Sequence, residues 1–312
     1  MSSCALVTGV TGQDGSYLAE LLIERGWRVH GLLRRPDEAV VEGVEVHVGD
    51  LVDPTVFGPL LDATRPDVIY HLAGMSSVAQ SWHEPGACVE LVATATARLL
   101  DAATRAGRPA RVVLAGSGEV FAAADTSPQD ESTPVQPTSP YGAAKAAVLM
   151  LGQVYRRAGH HVSTALLYNH ESPRRPPGFV TRKITSGAAA IAAGESDELR
   201  LGNLAAVRDW GWAPDYVQAM TLMAGADEPG DYVVASGVPH TVEDFVAAAF
   251  AAAGVPDWRR YVVVDPRFFR PVDGAELVGD SSRLRQSLGW RPTVGFEEIV
   301  ARMVEADRRR PS

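Results

Sequence analysis

Short runs of apolar residues recur along the first half of the chain, separated by stretches whose apolar residues have helical spacing. The strands predicted from these runs are Cys4–Thr8, Arg28–Leu33, Val44–Val48, 68–72, 112–115 and 162–168. Most of the runs are continuously apolar, which is typical of parallel strands that helices cover on both faces. The pattern therefore predicts an α/β protein with a doubly wound parallel sheet.

Helices are predicted between these strands at residues 16–25, 54–64, 85–106 and 140–158. After Tyr168 the sequence becomes rich in Pro, Arg and Gly, and the alternation breaks. We expect a smaller α/β domain to begin here, with a short strand near Leu199 and helices at 242–253 and 296–306. The predicted first domain is 1–168 with a returning segment at about 207–236, and the second is 169–206 with 237–312.

Charge and composition narrow the function classes. The chain has 312 residues and a formal net charge of −9, which argues against binding to nucleic acid or to an acidic membrane surface. No apolar run approaches the ~20 residues of a spanning helix, and the amino terminus lacks the basic segment of a signal peptide. Cys4 and Cys88 are too few for a disulfide framework and are expected in the core of a cytoplasmic protein. The eight histidines lack metal-ligand spacing, so no metal site is predicted.

A glycine turn, defined here as residues 9–15, follows the first predicted strand. Its sequence is Gly9-Val10-Thr11-Gly12-Gln13-Asp14-Gly15. Glycines at this spacing let the backbone approach a pyrophosphate at the N-terminus of the next helix. The alternative is a plain tight turn. Because this turn joins a strand to a helix, it predicts dinucleotide binding.

The residues after the second and third predicted strands bear on which dinucleotide binds. Arg34 and Arg35 stand where an NAD enzyme usually has an acid, and adjacent arginines suit a 2′-phosphate, so NADP is favoured over NAD. A solvated arginine pair is the alternative. Asp50, followed by Leu51, is placed to contact the adenine, although a helix N-cap is an equally good interpretation.

Two further pairs of residues predict the reaction chemistry. Tyr141 and Lys145 stand four apart at the start of a predicted helix, so both project from one face. An ammonium near the phenol would lower its pKa and let it take a proton from a sugar hydroxyl. Ser117 and Glu119 follow the strand at 112–115, at the sheet edge where ligands bind. The alternative for this second pair is a loop hydroxyl and a surface acid.

Together these residues resemble the extended short-chain dehydrogenase/reductase (NAD-dependent epimerase/dehydratase) family and, within it, the GDP-mannose 4,6-dehydratases. The resemblance covers about residues 5–307. Beyond the glycine turn, it rests on Ala73-Gly74-Met75-Ser76, Asn169-His170-Glu171-Ser172-Pro173-Arg174-Arg175, Phe179-Val180-Thr181-Arg182-Lys183, Leu201-Gly202-Asn203-Leu204, Arg208-Asp209-Trp210-Gly211 and Leu288-Gly289-Trp290. The second and fifth of these segments are the most specific.

The resemblance implies a Rossmann-like fold, an NADP cofactor and a nucleoside diphosphate sugar substrate. The implied cofactor contacts are Gly9, Gly12, Gln13, Asp14, Gly15, Arg34, Arg35, Asp50, Leu51, Leu72, Ala73, Tyr141, Lys145 and His170. The implied substrate contacts are Ser76, Asn169, Glu171, Arg174, Val180, Lys183, Leu201, Gly202, Asn203, Arg208 and Arg270. Without the resemblance, the arginines of the second set would be read as solvated or ion-paired side chains.

The resemblance also implies a mechanism. Tyr141 would deprotonate the C4 hydroxyl while hydride passes to NADP, and Ser117 would orient O4. The resulting ketone acidifies C5, so a carboxylate such as Glu119 can remove its proton while the C6 hydroxyl departs. Hydride then returns to C6, so no cofactor is consumed.

Three residues or segments depart from the family pattern. Gly118 replaces a Ser or Asp that assists protonation of the leaving hydroxyl, Phe121 replaces a Tyr, and the loop at 35–44 is short. These departures keep open an epimerase or decarboxylase that uses the same 4-ketone, while a non-catalytic NADP-binding regulator is a further interpretation. A homodimer or homotetramer is implied through the helices at 85–106 and 140–158, although packing on the sheet could equally satisfy their apolar residues.

Overall fold

A computed structural model describes residues 3–269, 272 and 276–309 of the chain. The strands are β1 Cys4–Thr8, β2 Arg28–Leu33, β3 Val44–Val48, β4 Val68–His71, β5 Arg111–Ala115, β6 Val162–Leu167, β7 Asn169–Glu171, β8 Leu199–Leu201, β9 Val207–Trp212, β10 Asp231–Val234, β11 Pro239–Thr241 and β12 Val262–Val264. The helices are α1 Gln13–Glu24, α2 Phe57–Thr64, α3 Val78–His83, α4 Pro85–Val89, α5 Ala95–Arg105, α6 Pro140–Arg157, α7 Val180–Ala192, α8 Ala213–Gly225, α9 Val242–Ala252, α10 Ser282–Leu288 and α11 Phe296–Arg308.

Seven strands form one parallel sheet in the order β10-β6-β5-β4-β1-β2-β3. The chain runs outward from β1 to β3 and then returns to the other side of β1 with β4, so the strand order reverses between β1 and β4. In open parallel sheets, ligands bind beyond the carboxyl ends of the strands at such a reversal. The predicted doubly wound, Rossmann-like sheet is confirmed.

Apolar layers cover both faces of this sheet. On one face α1 and α8 contribute Leu18, Leu22 and Met220 to a buried cluster. On the other face α5 and α6 contribute Leu99 and Val148. The inner strands β1, β4, β5 and β6 are buried on both sides because each side packs on helices, whereas the edge strand β3 is largely exposed.

A separate core lies among α7, α9 and α11, where Ile184, Phe245 and Val300 pack together. Beside it are a three-stranded sheet in the order β11-β9-β7 and the pair β12-β8. Strand β7 begins directly after β6 ends, with only Tyr168 between them. The chain thus passes directly from the carboxyl edge of the large sheet into the small one, whose first strand in the chain is β7.

Several elements differ from the sequence prediction. The predicted helix at 85–106 contains a π-helical turn, Glu90–Thr94, between α4 and α5. Helix α1 begins at Gln13, inside the glycine turn, rather than at residue 16. Helices α3 and α10 were not predicted, because each is too short to show a clear apolar period. Over the residues described, no helix combines the length and apolarity needed to cross a bilayer.

Candidate active site

The glycine turn forms a cradle that requires its glycines. Gly9 has φ +75°, and a Cβ there would lie 2.8 Å from the Ala73 nitrogen. At Gly15 a Cβ would lie 2.1 Å from the Gly9 oxygen, so a side chain at either position would displace backbone. Gly12 is the N-cap of α1 and supplies no side-chain hydrogen bond to the first turn. The first N–H groups of α1 therefore receive no cap from the Gly12 side, which suits the binding of a pyrophosphate there.

A cavity of about 380 Å³ opens at the carboxyl ends of the strands next to this turn. It is lined by Thr8, Gly9, Thr11, Leu32, Arg34, Glu38, Gly49, Asp50, Leu51, Ala73, Gly74, Met75, Gln80 and Leu91. The structure thus brings together five predicted cofactor residues: Gly9, Arg34, Asp50, Leu51 and Ala73. The residues present fit the adenosine half of a dinucleotide.

Of the two predicted cofactor residues Arg35 and Asp50, only Asp50 lines the cavity. The Arg35 side chain is 67% exposed and lies 3.7 Å from Asp37 and 3.8 Å from Glu38, so it does not line the cavity. Asp50 lines the cavity and accepts a hydrogen bond from the Val52 N–H at 3.1 Å. Asp50 does not cap helix α2, which begins at Phe57.

The first turn of α1 is joined to β7 by buried polar contacts. Gln13 donates to the His170 carbonyl at 3.1 Å and accepts from the Ser172 hydroxyl at 2.8 Å. His170 Nδ1 donates to the Tyr168 carbonyl at 2.7 Å, and Nε2 lies 2.9 Å from an Asp14 oxygen. These contacts set the position of β7 against the glycine turn.

The Asp14–His170 contact favours charges on both groups. Burial alone would raise the pKa of Asp14, but the charge and hydrogen bond of His170 outweigh it and lower that pKa. Burial would likewise lower the pKa of His170, but Asp14 raises it above its usual value. Because both imidazole nitrogens face acceptors, the imidazolium is the form that satisfies them.

Tyr141 and Lys145 lie one turn apart at the start of α6, as predicted. The Ser139 hydroxyl caps this helix by accepting from the Gly142 N–H, and Pro140 occupies the first turn. The ammonium of Lys145 lies 5.8 Å from the centre of the Tyr141 ring and donates to the Ala115 carbonyl at 2.6 Å. The helix start thus places both side chains against the end of β5.

Burial dominates the protonation of this pair. It raises the pKa of Tyr141 to about 12, although a hydrogen bond with Ser117 acts in the opposite direction. It also lowers the pKa of Lys145 to about 8. The pKa of Tyr141 is therefore raised rather than lowered as the Tyr–Lys spacing suggested, because burial desolvates the phenolate, a contribution that sequence spacing cannot show.

Ser117 and Glu119 lie in the turn that follows β5. The Ser117 hydroxyl accepts from the Glu119 N–H at 3.2 Å and caps a 3₁₀ turn, Gly118–Phe121. A small cavity beside them is lined by Ser117, Gly118, Glu119, Leu167, Tyr168, Asn169 and Leu277. The structure therefore brings the predicted Ser117 and Glu119 together with the predicted substrate residue Asn169.

Tyr168 is a neighbour of this turn that the sequence analysis did not identify. A Cβ at Gly118 would lie 3.0 Å from the Tyr168 ring, so the ring occupies the space of a side chain at position 118. The Tyr168 hydroxyl donates to the Gln129 side-chain oxygen at 2.9 Å. The absence of a side chain at 118 thus has a local packing reason.

The predicted cationic substrate residues do not all lie at one place: some pack on aromatic rings and one is buried in a strand. Arg174 lies over the Tyr17 ring at 3.9 Å and pairs with Glu20 at 2.6 Å, on the outer side of α1. Lys183 lies over the Phe268 ring at 3.7 Å. Arg208 is buried in β9, and Arg270 lies outside the described residues.

The uncharged and acidic residues of the predicted substrate set differ in their position and in how far they are buried. Gly202 and Lys183 share Phe268 as a neighbour, since a Cβ at Gly202 would be 2.6 Å from the Phe268 oxygen. Glu171 is buried and accepts from the Thr181 hydroxyl at 2.7 Å, so it anchors β7 to α7. The remaining members are the exposed Ser76 and Val180, the buried Leu201, and Asn203, which accepts from the Ala205 N–H at 3.0 Å.

Arg175 is a candidate cofactor residue that the sequence prediction did not include, since it assigned only Arg174 of this pair, and to the substrate. Its guanidinium lies over the Phe179 ring at 3.7 Å and 3.3 Å from a Glu171 oxygen. Its charge also helps to lower the pKa values of Asp14 and Tyr141, which places it on the cofactor side of β7. The sequence shows two adjacent arginines but not which one points inward.

The chain is similar to known proteins over nearly its whole length. The family model described as GDP-mannose 4,6 dehydratase matches residues 6–303. GDP-mannose 4,6 dehydratase 1 of Arabidopsis thaliana is 43% identical over 97% of this chain and 89% of its own length. The GDP-mannose 4,6 dehydratase of Homo sapiens is 39% identical over 97% of this chain and 91% of its own length. Among solved structures, the Thermus thermophilus UDP-glucose 4-epimerase in complex with NAD is similar, with a TM-score of 0.87 and 29% identity. The match covers 98% of this chain and 99% of the epimerase chain.

Proposed function

Because the chain belongs to the GDP-mannose 4,6-dehydratase family, we propose that it is a nucleotide-sugar 4,6-dehydratase, a carbon–oxygen lyase, acting on a GDP-mannose-like NDP-hexose. One observation carries the proposal: Ser117, whose hydroxyl acts to lower the pKa of the Tyr141 phenol, shares a single turn with Glu119 at the end of β5. Oxidation of an alcohol needs the hydroxyl groups of Tyr141 and Ser117, and proton removal at the adjacent carbon needs the Glu119 carboxylate.

We propose NADP as the cofactor. Gly9, Gly12 and Gly15 leave room for the pyrophosphate, Asp50 and Leu51 meet the adenine, and Arg34 meets the 2′-phosphate. Ala73 lines the same adenosine cavity, and Leu72, Lys145 and His170 then border the nicotinamide ribose and ring. When bound, the cofactor supplies a hydride acceptor for C4 and returns the hydride to C6.

Each side chain of the site has a distinct part in the proposed reaction. Tyr141 takes the proton of the C4 hydroxyl while Ser117 holds O4 by a hydrogen bond. Because burial places the pKa of Tyr141 at about 12, this step requires a protonated Lys145 near the ring. Glu119 then removes the proton at C5, which the neighbouring ketone has acidified. The C6 hydroxyl takes up a proton from solvent and leaves as water.

The nucleotide part of the substrate is proposed to bind the smaller lobe, residues 169–206 and 237–312, while residues 1–168 with 207–236 hold the cofactor. Asn169, which lines the small cavity beside Glu119, is closest to the reacting sugar. Lys183 lies beside Gly202 through their shared neighbour Phe268, where an ammonium can meet a phosphate. Arg208 completes the proposed pyrophosphate grip.

A homodimer through α4, α5 and α6 is also proposed. Helix α6 presents Met150 and Val154, which are 53% and 57% exposed, and α4 presents the exposed Val89. Large apolar side chains exposed on neighbouring helices suit burial against a second copy. We further propose a cytoplasmic location, in keeping with free, buried Cys4 and Cys88.

Mass spectrometry of products from a panel of nucleotide sugars tests the function. The proposal predicts that GDP-mannose gives a product lighter by one water, with no net change in reduced nicotinamide. A product of unchanged mass would instead identify an epimerase, the candidate that Gly118 favours because this position supplies no acid to the leaving hydroxyl. Loss of carbon dioxide from a uronic acid nucleotide would identify a decarboxylase.

A further inference from the structure

The adenosine end of the cofactor cavity carries charges of both signs. Among the described residues, the charged side chains that line it are Arg34, Glu38 and Asp50. Two carboxylates therefore face one guanidinium in the cavity where a 2′-phosphate would add further negative charge. Asp50 belongs to the proposed adenine contact, but Glu38 has no place in the function proposed above.

Glu38 reaches the cavity because the loop after β2 turns back on itself. The Glu38 N–H donates to the Arg35 carbonyl at 3.4 Å, and one Glu38 carboxylate oxygen accepts from the Arg35 N–H at 3.1 Å. The other oxygen accepts from the Thr11 hydroxyl, inside the glycine turn, at 3.4 Å. The side chain is only 21% exposed. The loop and the glycine turn thus hold this carboxylate against the cofactor cradle.

The same contacts remove Arg35 from the cavity. Its guanidinium lies near Asp37 and Glu38, and its backbone N–H is bonded to Glu38. Of the arginine pair that suggested NADP, Arg34 is the member that lines the cavity. The positive charge available to a 2′-phosphate is therefore smaller than the sequence suggested.

A carboxylate and a guanidinium favour different cofactors here. The 2′-hydroxyl of NAD donates a hydrogen bond to a carboxylate, whereas the 2′-phosphate of NADP is repelled by it. We propose that Glu38 is a specificity residue for the adenosine ribose: it accepts the 2′-hydroxyl of NAD, opposes Arg34, and lets the chain bind NAD(H) as well as NADP(H). This inference rests on the proposed nicotinamide cofactor but not on the proposed sugar chemistry.

Direct binding of the two reduced dinucleotides tests the proposal without any sugar substrate. NADH and NADPH are titrated separately into nucleotide-free protein, and energy transfer from tryptophan to the nicotinamide gives each Kd. Glu38→Gln removes the charge and keeps the shape, and Glu38→Ala is the second variant. Asp37→Asn is the matched control, because Asp37 also faces Arg35 but is 76% exposed and does not line the cavity.

The proposal predicts that the wild-type chain binds both dinucleotides. It also predicts that Glu38→Gln shifts the ratio of Kd values toward NADPH by about tenfold, which corresponds to about 1.4 kcal/mol. Asp37→Asn should leave the ratio near the wild-type value. A ratio in both Glu38 variants that matches Asp37→Asn would overturn the proposal, as would wild-type protein that fails to bind NADH. A shifted ratio with no dehydration of any sugar would leave this proposal standing and reject only the sugar chemistry.

Discussion

Gly118 lies between Ser117 and Glu119 in the candidate active site, and an added side chain there is expected to lower both stability and activity. A Cβ at this position would lie 3.0 Å from two carbons of the Tyr168 ring. The ring has little room to move, because its hydroxyl is bonded to Gln129 and Gly279 packs so closely on it that a Cβ there would lie 2.8 Å from the ring. In Gly118→Ala, either the ring or the turn that carries Glu119 must therefore shift.

The size of the effect follows from this geometry. Overpacking of a rigid core site costs about 1–3 kcal/mol of unfolding free energy. If the turn shifts instead of the ring, Ser117 and Glu119 move relative to Tyr141, and misplacement by about 1 Å lowers turnover by up to ~100-fold. Gly118→Ser adds an oxygen to the same position and should lose at least as much.

Urea unfolding and product formation from GDP-mannose measure the two effects. Gly107→Ala is the matched control, because this glycine has ordinary φ and nothing lies within 4 Å of an added Cβ. The control should retain wild-type stability and activity. If Gly118→Ala were as stable and as active as Gly107→Ala, the proposed packing of Tyr168 against the catalytic turn would be wrong.

Two further predictions concern buried charges. Asp307 pairs with Arg182 in a buried contact that holds α11 to α7, so Asp307→Asn should cost about 3–5 kcal/mol of unfolding free energy, while Glu305→Gln on the exposed face of α11 should cost almost nothing. Equal losses in urea unfolding would refute this. The Asp14–His170 contact stabilises the fold fully between the ordinary pKa values of 3.8 and 6.5, because the folded Asp14 pKa is lowered and the folded His170 pKa is raised. Its contribution is lost as pH rises through the raised His170 pKa or falls through the lowered Asp14 pKa. Asp14→Asn should therefore lower the melting temperature most near pH ~5, and a loss independent of pH would contradict the assignment.

The sequence predicted features that depend on local pattern. Six strands of the large sheet could be placed because their residues are apolar and separated by helices, and the seventh, β10, fell within the returning segment. The glycine turn and the Tyr141–Lys145 spacing were visible because each is fixed by neighbours in the chain. The π-helical turn at Glu90–Thr94 was not, since a shift in hydrogen bonding leaves the apolar period almost unchanged.

Features that depend on distant contacts could not be predicted. Arg174 and Arg175 are adjacent, yet one pairs with Glu20 on α1 and the other with the buried Glu171 of β7. Glu38 enters the cofactor cavity only because a short loop turns back to the glycine turn. Burial, which sets the pKa of Tyr141, is likewise a property of the packed structure.

The central claim is that Glu119 removes the C5 proton of a nucleotide sugar that Tyr141 has helped to oxidise at C4. The most direct measurement is the mass spectrum of the product formed from GDP-mannose in heavy water by the wild-type chain and by Glu119→Gln. The wild-type product should be lighter than substrate by one water and carry solvent deuterium at C5, and the variant should form neither product nor deuterated substrate. A wild-type product of unchanged mass, or deuterium uptake by Glu119→Gln at the wild-type rate, would contradict the claim.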